Sequence, residues 1–293
     1  MPGLSWGAWA DGAPKIARER AIFVGVASFA AAKLPAIEAP SFMQVEGFRV
    51  TRDFEAGHWW FRSRRDLIGK QVGKAVAELG DTGRKLRLLD FGCGTGFNLS
   101  LLSEFGEVTG ADRFQAEHEQ FRLEHGFPML DVERDLPANA GRFDVVTALD
   151  VLEHLDDDVA GLRTLDRLLA PGGQIVLTVP AYQWLWGGED VISEHRRRYT
   201  QTQLERCAVA ADLKVEFISY FNMSILPAVT SVIWGRRLLT PNAPPQSSLS
   251  TPPHWLNEAL YNLTSREASL VGSESLRMPA GASIVCRLRR GAA

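Results

Sequence analysis

The sequence predicts an α/β protein built on a parallel sheet. Short apolar runs alternate along the chain with segments long enough for helices, and such alternation places strands side by side in parallel. The run at residues 86–91 also ends in a glycine-rich turn at 92–96, as is typical of a buried parallel strand that leads into a helix. A chain of 293 residues is long enough for one such domain with extensions.

The individual elements follow from apolar periodicity. The expected strands are residues 86–91, 107–111, 128–131, 143–149, 174–179, 214–220 and 282–289. The expected helices are residues 61–79, 97–105, 115–125, 156–169 and 204–213. Thr200 and Gln203 have the spacing of a capping box at the start of the last of these helices.

The composition is that of an ordinary globular protein. Charged residues make up 23% of the chain and hydrophobic residues 45%, and the formal net charge of -3 gives no reason to expect a nucleic-acid partner. Cys93, Cys207 and Cys286 lack the spacing of a zinc site and are an odd number for a disulfide framework. We therefore expect a protein of the reducing cytoplasm.

The N-terminal residues imitate a targeting signal. Basic residues at 15–20 precede an apolar stretch at 21–32. Twelve residues are too few to cross a bilayer as a helix, so we expect this stretch to pack on the domain or to remain an extension, and we expect no transmembrane segment.

The glycine-rich turn indicates a ligand. It reads Asp-Phe-Gly-Cys-Gly-Thr-Gly at residues 90–96, and its glycines let backbone N–H groups approach a ligand closely. A nicotinamide dinucleotide fits poorly, because its fingerprint requires glycine at the position of Phe97 and Asp90 would repel its pyrophosphate. Acidic residues at strand ends instead suit a ligand that carries positive charge.

Other acidic residues stand at predicted strand ends. Asp112 comes twenty positions after Gly92, a spacing at which a carboxylate can accept both hydroxyls of a ribose, although a turn or N-cap role is the alternative. Asp131 and Val132 end the third strand, where Asp131 is a candidate neighbour of an adenine ring or a simple turn residue. Asp150 follows the fourth strand.

Four motifs occur in order at the ends of successive strands. They are LLDFGCGTG at 88–96, GAD at 110–112, FDVVTALDVLEHLDDD at 143–158 and LLAPGGQIVLTVP at 168–180. Together they resemble the successive motifs of class I methyltransferases that depend on S-adenosylmethionine (SAM), over roughly residues 86–220. The resemblance implies a Rossmann-like, doubly wound sheet of seven strands in the order 3-2-1-4-5-7-6, with the last strand antiparallel.

The resemblance also implies SAM as the cofactor and assigns site residues. Glycine-loop roles fall on Gly92, Gly94 and Gly96, ribose binding on Asp112 and an adenine-side role on Asp131. The full set of expected SAM contacts is Asp90, Gly92, Cys93, Gly94, Gly96, Asn98, Asp112, Arg113, Asp131, Val132, Leu149 and Asp150. The chain then divides into an N-terminal extension and lid at 1–60, a SAM-binding core at 61–220, a substrate-cap insertion at 221–281 and the last strand at 282–293.

Two further stretches are similar to a narrower group. They are GHWWFRSRR at 57–65 and WLWGGEDVISEHRRRY at 184–199, and they are similar to a bacterial branch of small-molecule methyltransferases related to the ubiquinone-biosynthesis O-methyltransferases. Trp59, Trp60 and Phe61 would lie just before the first helix, either as a lid that excludes water or as packing residues.

The segment after the fifth strand holds the candidates for acceptor chemistry, because ligands of open α/β sheets bind beyond the carboxyl ends of the strands. His195 is the first choice for a general base, since histidine ionises near neutral pH, with Glu189 and Asp190 as further candidates and a solvated surface histidine as the alternative. The expected acceptor contacts are Trp59, Trp60, Glu153, His154, Tyr182, Trp184, Trp186, Arg197 and Tyr199.

A metal site is not expected at the end of the fourth strand. Asp150, Glu153 and His154 offer ligands that a divalent ion accepts. In the ubiquinone O-methyltransferases a similar acidic-x-x-Glu-His stretch is associated with metal, but many relatives with Glu-His at this point use none. We expect these residues to shape the pocket.

The insertion suggests the kind of acceptor. Its apolar stretch at 225–234 is too short to span a membrane, and we expect it to cap a pocket, with contact to a membrane interface or a second subunit as alternatives. The predicted acceptor is a small hydrophobic molecule: a prenyl, polyketide or aromatic natural product, or a lipid-linked sugar. The alternative functions are a non-catalytic SAM-binding regulator or scaffold and an NAD-dependent oxidoreductase.

Overall fold

The computed structural model describes residues 54–113, 126–240, 244 and 252–291. Within them a seven-stranded sheet has the order β3-β2-β1-β4-β5-β7-β6, in which β7 is antiparallel to both of its neighbours and the remaining pairs are parallel. The expected fold class is therefore confirmed. The strands are β1 (Arg87–Phe91), β2 (Glu107–Asp112), β3 (Met129–Asp131), β4 (Phe143–Leu149), β5 (Leu169–Pro180), β6 (Leu213–Phe221) and β7 (Ser283–Arg290).

Seven α-helices accompany the sheet in the described part of the chain. They are α1 (Trp59–Leu79), α2 (Leu99–Leu102), α3 (Asp158–Leu168), α4 (Gly188–Ile192), α5 (Gln201–Ala210), α6 (Leu226–Leu239) and α7 (His254–Gly272). The capping box of Thr200 and Gln203 is present at the start of α5. The apolar stretch at 21–32 and the helix expected at 115–125 lie outside the described residues.

Several elements differ from their expected bounds, and for α1 and β5 the structure shows why. Helix α1 begins at Trp59 rather than at Phe61, because the His58 side chain caps it by accepting the N–H of Trp60. Strand β5 begins at Leu169, ahead of the expected residue 174. Its register against β4 shifts between Phe143 and Val145, so the Pro-Gly-Gly sequence at 171–173 is accommodated at an irregularity of the ladder.

The core lies on both faces of the sheet. Successive side chains of a strand point to opposite faces, so Leu88 of β1 joins an apolar cluster with Ile68 of α1, whereas its neighbour Leu89 joins a second cluster with Leu162 of α3. All four side chains are buried. This two-sided packing holds the carboxyl ends of β1, β4 and β5 at one edge of the sheet, where the loops that bind a ligand begin.

The connection between β6 and β7 contains two helices with different surroundings. Helix α7 packs on α1: Asn257 accepts the N–H of Trp59 at 2.9 Å, and the Tyr261 hydroxyl donates to Asp66 at 3.0 Å. Helix α6 has no buried residue. None of the described helices has the length and apolar character needed to cross a membrane.

Candidate active site

A cavity of about 890 Å³ lies at the carboxyl ends of β1, β4 and β5. The glycine-rich turn after β1 and residues of α6 both line it. A volume of this size is in the range of small-molecule and cofactor sites. Of the predicted site residues, those that line it are Asp90, Gly92, Cys93, Gly94, Asn98, Leu149, Asp150, Trp59, Trp60, Glu153, His154, Trp186, Glu189, Asp190 and His195.

The glycine turn is shaped for a ligand to approach its backbone. Gly92 and Gly94 have φ values of 71° and 51°, in the left-handed region that side chains disfavour. A Cβ atom on Gly92 would lie 2.6 Å from a Val151 methyl group, so glycine is required there by packing. A Cβ atom on Gly94 would meet nothing within 4 Å, because that face of the turn opens into the cavity.

Asp90 presents a buried carboxylate to this cavity. Its side chain is 1% exposed, and its Oδ1 accepts the Thr147 hydroxyl at 2.6 Å. Among the described residues its Oδ2 has no hydrogen-bond partner. Burial raises the pKa of Asp90 to about 7. The ammonium group of SAM would satisfy this orphaned oxygen, so the site fits the expected cofactor.

Arg64 of α1 reaches the end of β4. It pairs with Asp150 at 2.8 Å and donates to the Thr178 hydroxyl at 2.5 Å, while Thr178 itself donates to Asp150 at 3.0 Å. Asp150 has a positive φ of 55°. Arg64 was not predicted as a site residue, because in sequence it belongs to a run of arginines on an amphipathic helix, which is typical of a solvated face.

His195 forms a hydrogen-bonded pair with Asp190. Its Nδ1 lies 2.8 Å from Asp190 Oδ1, and Arg198 holds the same carboxylate through Nε at 2.7 Å and Nη2 at 2.9 Å. Asp190 is fully buried. Burial alone would raise its pKa, but the hydrogen bonds from His195 and Arg198 outweigh burial and hold the pKa of Asp190 below its usual range. Asp190 therefore orients the imidazole as a carboxylate.

Glu153 and His154 lie beside this pair. Glu153 is fully buried, neither of its oxygens has a hydrogen-bond partner among the described residues, and burial followed by the charge of Asp150 raises its pKa well above the usual range. The His154 ring is perpendicular to the His195 ring, with centroids 4.7 Å apart. Burial and the neighbouring His195 lower the pKa of His154 to about 4, so it is neutral at pH 7.

The potential metal ligands that lie together differ from the Asp150, Glu153 and His154 set of the sequence. Glu153, His154 and His195 each offer a ligand atom, and these atoms lie within 4.8 Å of one another. Asp150 is instead paired with Arg64. These three residues could hold a divalent ion only if His195 contributes the nitrogen that Asp190 does not occupy.

Two residues expected at the acceptor are structural instead. Tyr199 is 2% exposed, and its hydroxyl donates to Asp158 at 3.0 Å and lies 3.3 Å from the Leu152 carbonyl. Arg197 pairs with the same Asp158 and donates to the Leu155 carbonyl at 3.0 Å. Neither lines the cavity, because a buried hydroxyl and a half-buried guanidinium must find partners in the protein.

Two aromatic residues expected at the acceptor also lie outside the cavity lining. Tyr182 stacks on Trp184 with ring centroids 5.3 Å apart and on Tyr220 at 5.0 Å. Trp184 is 42% exposed. Their mutual stacking, rather than a ligand, accounts for their placement. Trp186 alone of the aromatic residues predicted at 182–186 lines the cavity.

Five residues expected at the cofactor do not line the cavity: Gly96, Asp112, Arg113, Asp131 and Val132. Asp131 Oδ1 accepts the backbone N–H groups of Glu133 and Arg134, as the turn alternative predicted. Val132 is buried in the apolar core, and Arg113 lies 3.1 Å from Glu133. Asp112 acts on the glycine turn by accepting the N–H of Gly94 at 2.8 Å.

Helix α6 and the residue before it contribute apolar side chains to the cavity lining. Ile225, Val229 and Ile233 line the cavity, and the Arg237 guanidinium donates to the Trp186 carbonyl at 2.6 Å. The role of the 225–234 stretch as a cap stays a prediction. The contact of Arg237 with Trp186 could not be predicted, because it joins segments distant in sequence.

Comparison with known proteins agrees with this geometry. A family model described as a methyltransferase domain matches residues 58–217. The ubiquinone biosynthesis O-methyltransferase of Pseudomonas aeruginosa is 33% identical over 136 residues, covering 42% of this chain and 58% of the relative. The enzyme of the same description from Psychrobacter cryohalolentis is 36% identical over 153 residues, covering 42% of this chain and 59% of the relative. The chain thus spans less than two thirds of the length of these curated relatives.

Two solved structures share the fold. One is a methyltransferase in complex with the Haloferax volcanii Trm112 methyltransferase activator, with a TM-score of 0.50 and 15% identity over 84% of this chain and 95% of that one. The other is the cyclase SpnF, with a TM-score of 0.51 and 17% identity over 88% of this chain and 99% of that one. Because the methyltransferase-domain match covers more than half of the chain and the glycine turn fits SAM, the protein belongs to the SAM-dependent methyltransferases.

Proposed function

We propose that this enzyme methylates a hydroxyl group of a small, largely apolar acceptor, with His195 as the general base. The observation that carries the proposal is the contact between His195 and Asp190 at the wall of the cavity. A base is useful when the acceptor atom carries a proton that must leave, as in a hydroxyl. The curated relatives are ubiquinone biosynthesis O-methyltransferases, which supports the same chemistry.

The hydrogen bonds define which nitrogen of His195 is the base. The Asp190 carboxylate can only accept, so Nδ1 of His195 carries the proton and donates it. Nε2 then carries the lone pair that accepts the proton of the acceptor hydroxyl. Asp190 stabilises the imidazolium that results, and the neutral His154 beside it adds no opposing charge.

Methyl transfer requires the enzyme to position the reactants, and it needs no covalent enzyme intermediate. SAM, when bound, supplies the methyl group, and the acceptor oxygen must lie in line with the bond that breaks. The glycine turn and α6 both line the cavity, and its volume of about 890 Å³ leaves room for a cofactor and an acceptor. Trp59 and Trp60 line the same space, and their rings would exclude water from the transfer line.

The acceptor class follows from the α6 wall. Ile225, Val229 and Ile233 offer aliphatic contacts, so we propose a prenylated, polyketide or aromatic molecule, or a lipid-linked sugar, as the acceptor. To test this, Ile233→Glu is compared with Val209→Glu, a change at a 70% exposed position of α5 outside the cavity. The first change should raise the KM for acceptor at least tenfold with unchanged SAM affinity. Equal kinetics of the two variants would refute an apolar acceptor wall.

The base is tested by replacing His195. A panel of apolar phenols and prenyl alcohols is screened with wild-type enzyme, using formation of S-adenosylhomocysteine as the readout. With an acceptor from that screen, His195→Ala should reduce turnover by about 10²-fold or more and leave SAM affinity unchanged. Arg196→Gln, at an exposed residue outside the cavity, is the matched control. Wild-type turnover in His195→Ala would show that the enzyme uses no base at this position.

A further inference from the structure

Glu153 is a buried acidic residue that the reaction described above does not use. It lies in a short 3-10 helix, Leu152–His154, which follows β4. The residue is fully buried and lines the cavity, and neither of its carboxyl oxygens has a hydrogen-bond partner among the described residues. A buried polar atom without a partner costs free energy, so such a group at a cavity wall indicates a ligand that supplies the partner.

The backbone at Glu153 is held beside the segment that carries His195. The Glu153 carbonyl accepts the N–H of Arg196 at 2.7 Å. The Arg197 guanidinium donates to the Leu155 carbonyl at 3.0 Å, which joins the same two segments one step further along. The backbone carbonyl of Glu153 therefore has a partner in the protein, whereas its side chain has none in the described part of the chain.

The Glu153 and His195 side chains also lie close together. A carboxyl oxygen of Glu153, a ring nitrogen of His154 and a ring nitrogen of His195 lie within 4.8 Å of one another. Two hydrogen bonds of about 2.8 Å each, made by neighbouring atoms of one ligand, can span a distance of this size. An acceptor whose hydroxyl contacts His195 therefore brings the atoms next to that hydroxyl within reach of Glu153.

The chemistry of a carboxyl group determines what such a neighbouring atom must offer. A carboxyl group can accept a hydrogen bond in its ionised form and in its protonated form. A C–H group placed against Glu153 would leave the buried oxygens unpaired, whereas an O–H or N–H group would donate to one of them. The part of the acceptor that contacts Glu153 is therefore expected to be a hydrogen-bond donor.

We propose that Glu153 is a specificity-determining residue that accepts a hydrogen bond from a second O–H or N–H group of the acceptor, next to the hydroxyl that is methylated. This proposal rests on the function proposed above, because it needs a hydroxyl acceptor at His195. It gives the acceptor a polar end at Glu153 in addition to an apolar body. A divalent ion held by Glu153, His154 and His195 is the alternative use of the same carboxyl group.

The contact is tested with pairs of phenols that differ in one substituent. One member of each pair has a second hydroxyl on the carbon next to the one that bears the methylated hydroxyl, and the other member has hydrogen there. For the wild-type enzyme, kcat/KM should be about tenfold or more higher for the member with two hydroxyls. Glu153→Met should bring the two kcat/KM values within about threefold of each other, because the hydrogen-bond acceptor is gone.

Two further variants serve as controls for this preference. Glu153→Gln keeps an oxygen that accepts a hydrogen bond and should therefore retain part of the preference. Glu205→Met, at an exposed position of α5 outside the cavity, should retain all of it.

A measurement on the protein alone checks that the carboxyl group has no partner in the fold. Glu153→Met removes a buried polar group without a hydrogen-bond partner, so its melting temperature should rise by about 2 to 4 °C. A melting temperature below that of the wild type would mean that the Glu153 side chain stabilises the fold. That result would overturn the proposal without any acceptor being needed.

The kinetic outcomes distinguish this inference from the proposed function. An unchanged preference in Glu153→Met, or no preference in the wild-type enzyme, would refute the contact, and turnover that still depends on His195 would leave the proposed function intact. A preference that EDTA abolishes and magnesium restores would assign Glu153 to a metal instead. If the wild-type enzyme methylates no hydroxyl of the panel, the proposed function and this inference both fail.

Discussion

The Asp112 carboxylate accepts the backbone N–H of Gly94 at 2.8 Å, which ties the end of β2 to the glycine turn after β1. Its other oxygen accepts the backbone N–H of Arg113 at 2.7 Å. Asp112 does not line the cavity, but Gly94, which it holds, does. The sequence predicts a second role for Asp112, as a ribose ligand.

Replacing Asp112 should weaken cofactor binding. We expect Asp112→Ala to reduce SAM affinity by about 1 to 3 kcal/mol through loss of a charge-assisted ribose contact. Titration calorimetry measures the change. Asp112→Asn keeps an oxygen for the Gly94 N–H and serves as the control, with a smaller loss expected. Unchanged affinity in Asp112→Ala would mean that this residue does not bind the ribose.

Gly94 should tolerate no side chain when the cofactor is bound. A Cβ atom there points into the cavity, and the φ of 51° is strained for any other residue. We expect Gly94→Val to abolish SAM binding while the protein remains folded by circular dichroism, since a Cβ atom there has no protein atom within 4 Å. Normal SAM affinity in this variant would mean that the glycine turn does not bind SAM.

Asp90 should make cofactor binding depend on pH. Its pKa is raised to about 7 by burial, and a bound ammonium would favour the ionised form. Binding therefore releases a proton below pH 7, and affinity for S-adenosylhomocysteine should fall as pH is lowered from 7.5 to 6. Calorimetry in buffers of different ionisation enthalpy detects the released proton. Asp90→Asn should bind S-adenosylhomocysteine with an affinity that does not change over this pH range. The same pH-independent affinity in the wild-type protein would contradict the prediction.

Chelators should leave turnover intact. Asp150 is held by Arg64, and one nitrogen of His195 is held by Asp190, so few groups near Glu153 remain for a divalent ion. With an acceptor identified by the screen, we expect equal initial rates of methyl transfer in the presence and absence of EDTA. Activity that EDTA removes and magnesium restores would instead assign Glu153, His154 and His195 to a metal.

The sequence by itself determined the sheet, the cofactor and the glycine turn. These signals are local: apolar runs set each strand, and the turn at 92–96 needs glycines because of its own backbone geometry. The distance from Gly92 to Asp112 follows from one strand-turn-helix-strand unit, so it too can be read along the chain. The strand order came from the resemblance of four motifs in sequence order to a known family.

Only the tertiary structure decided which side chains meet at the cavity. Glu55 and Thr95 are 40 positions apart, and Arg64 and Thr178 are 114 apart. Such contacts depend on how α1 packs on the sheet, which no local pattern encodes. The same holds for Tyr199, which lies near His195 in sequence but has its hydroxyl buried in the core against Asp158. A buried polar group must find its partner wherever packing provides one, and that choice is made in three dimensions.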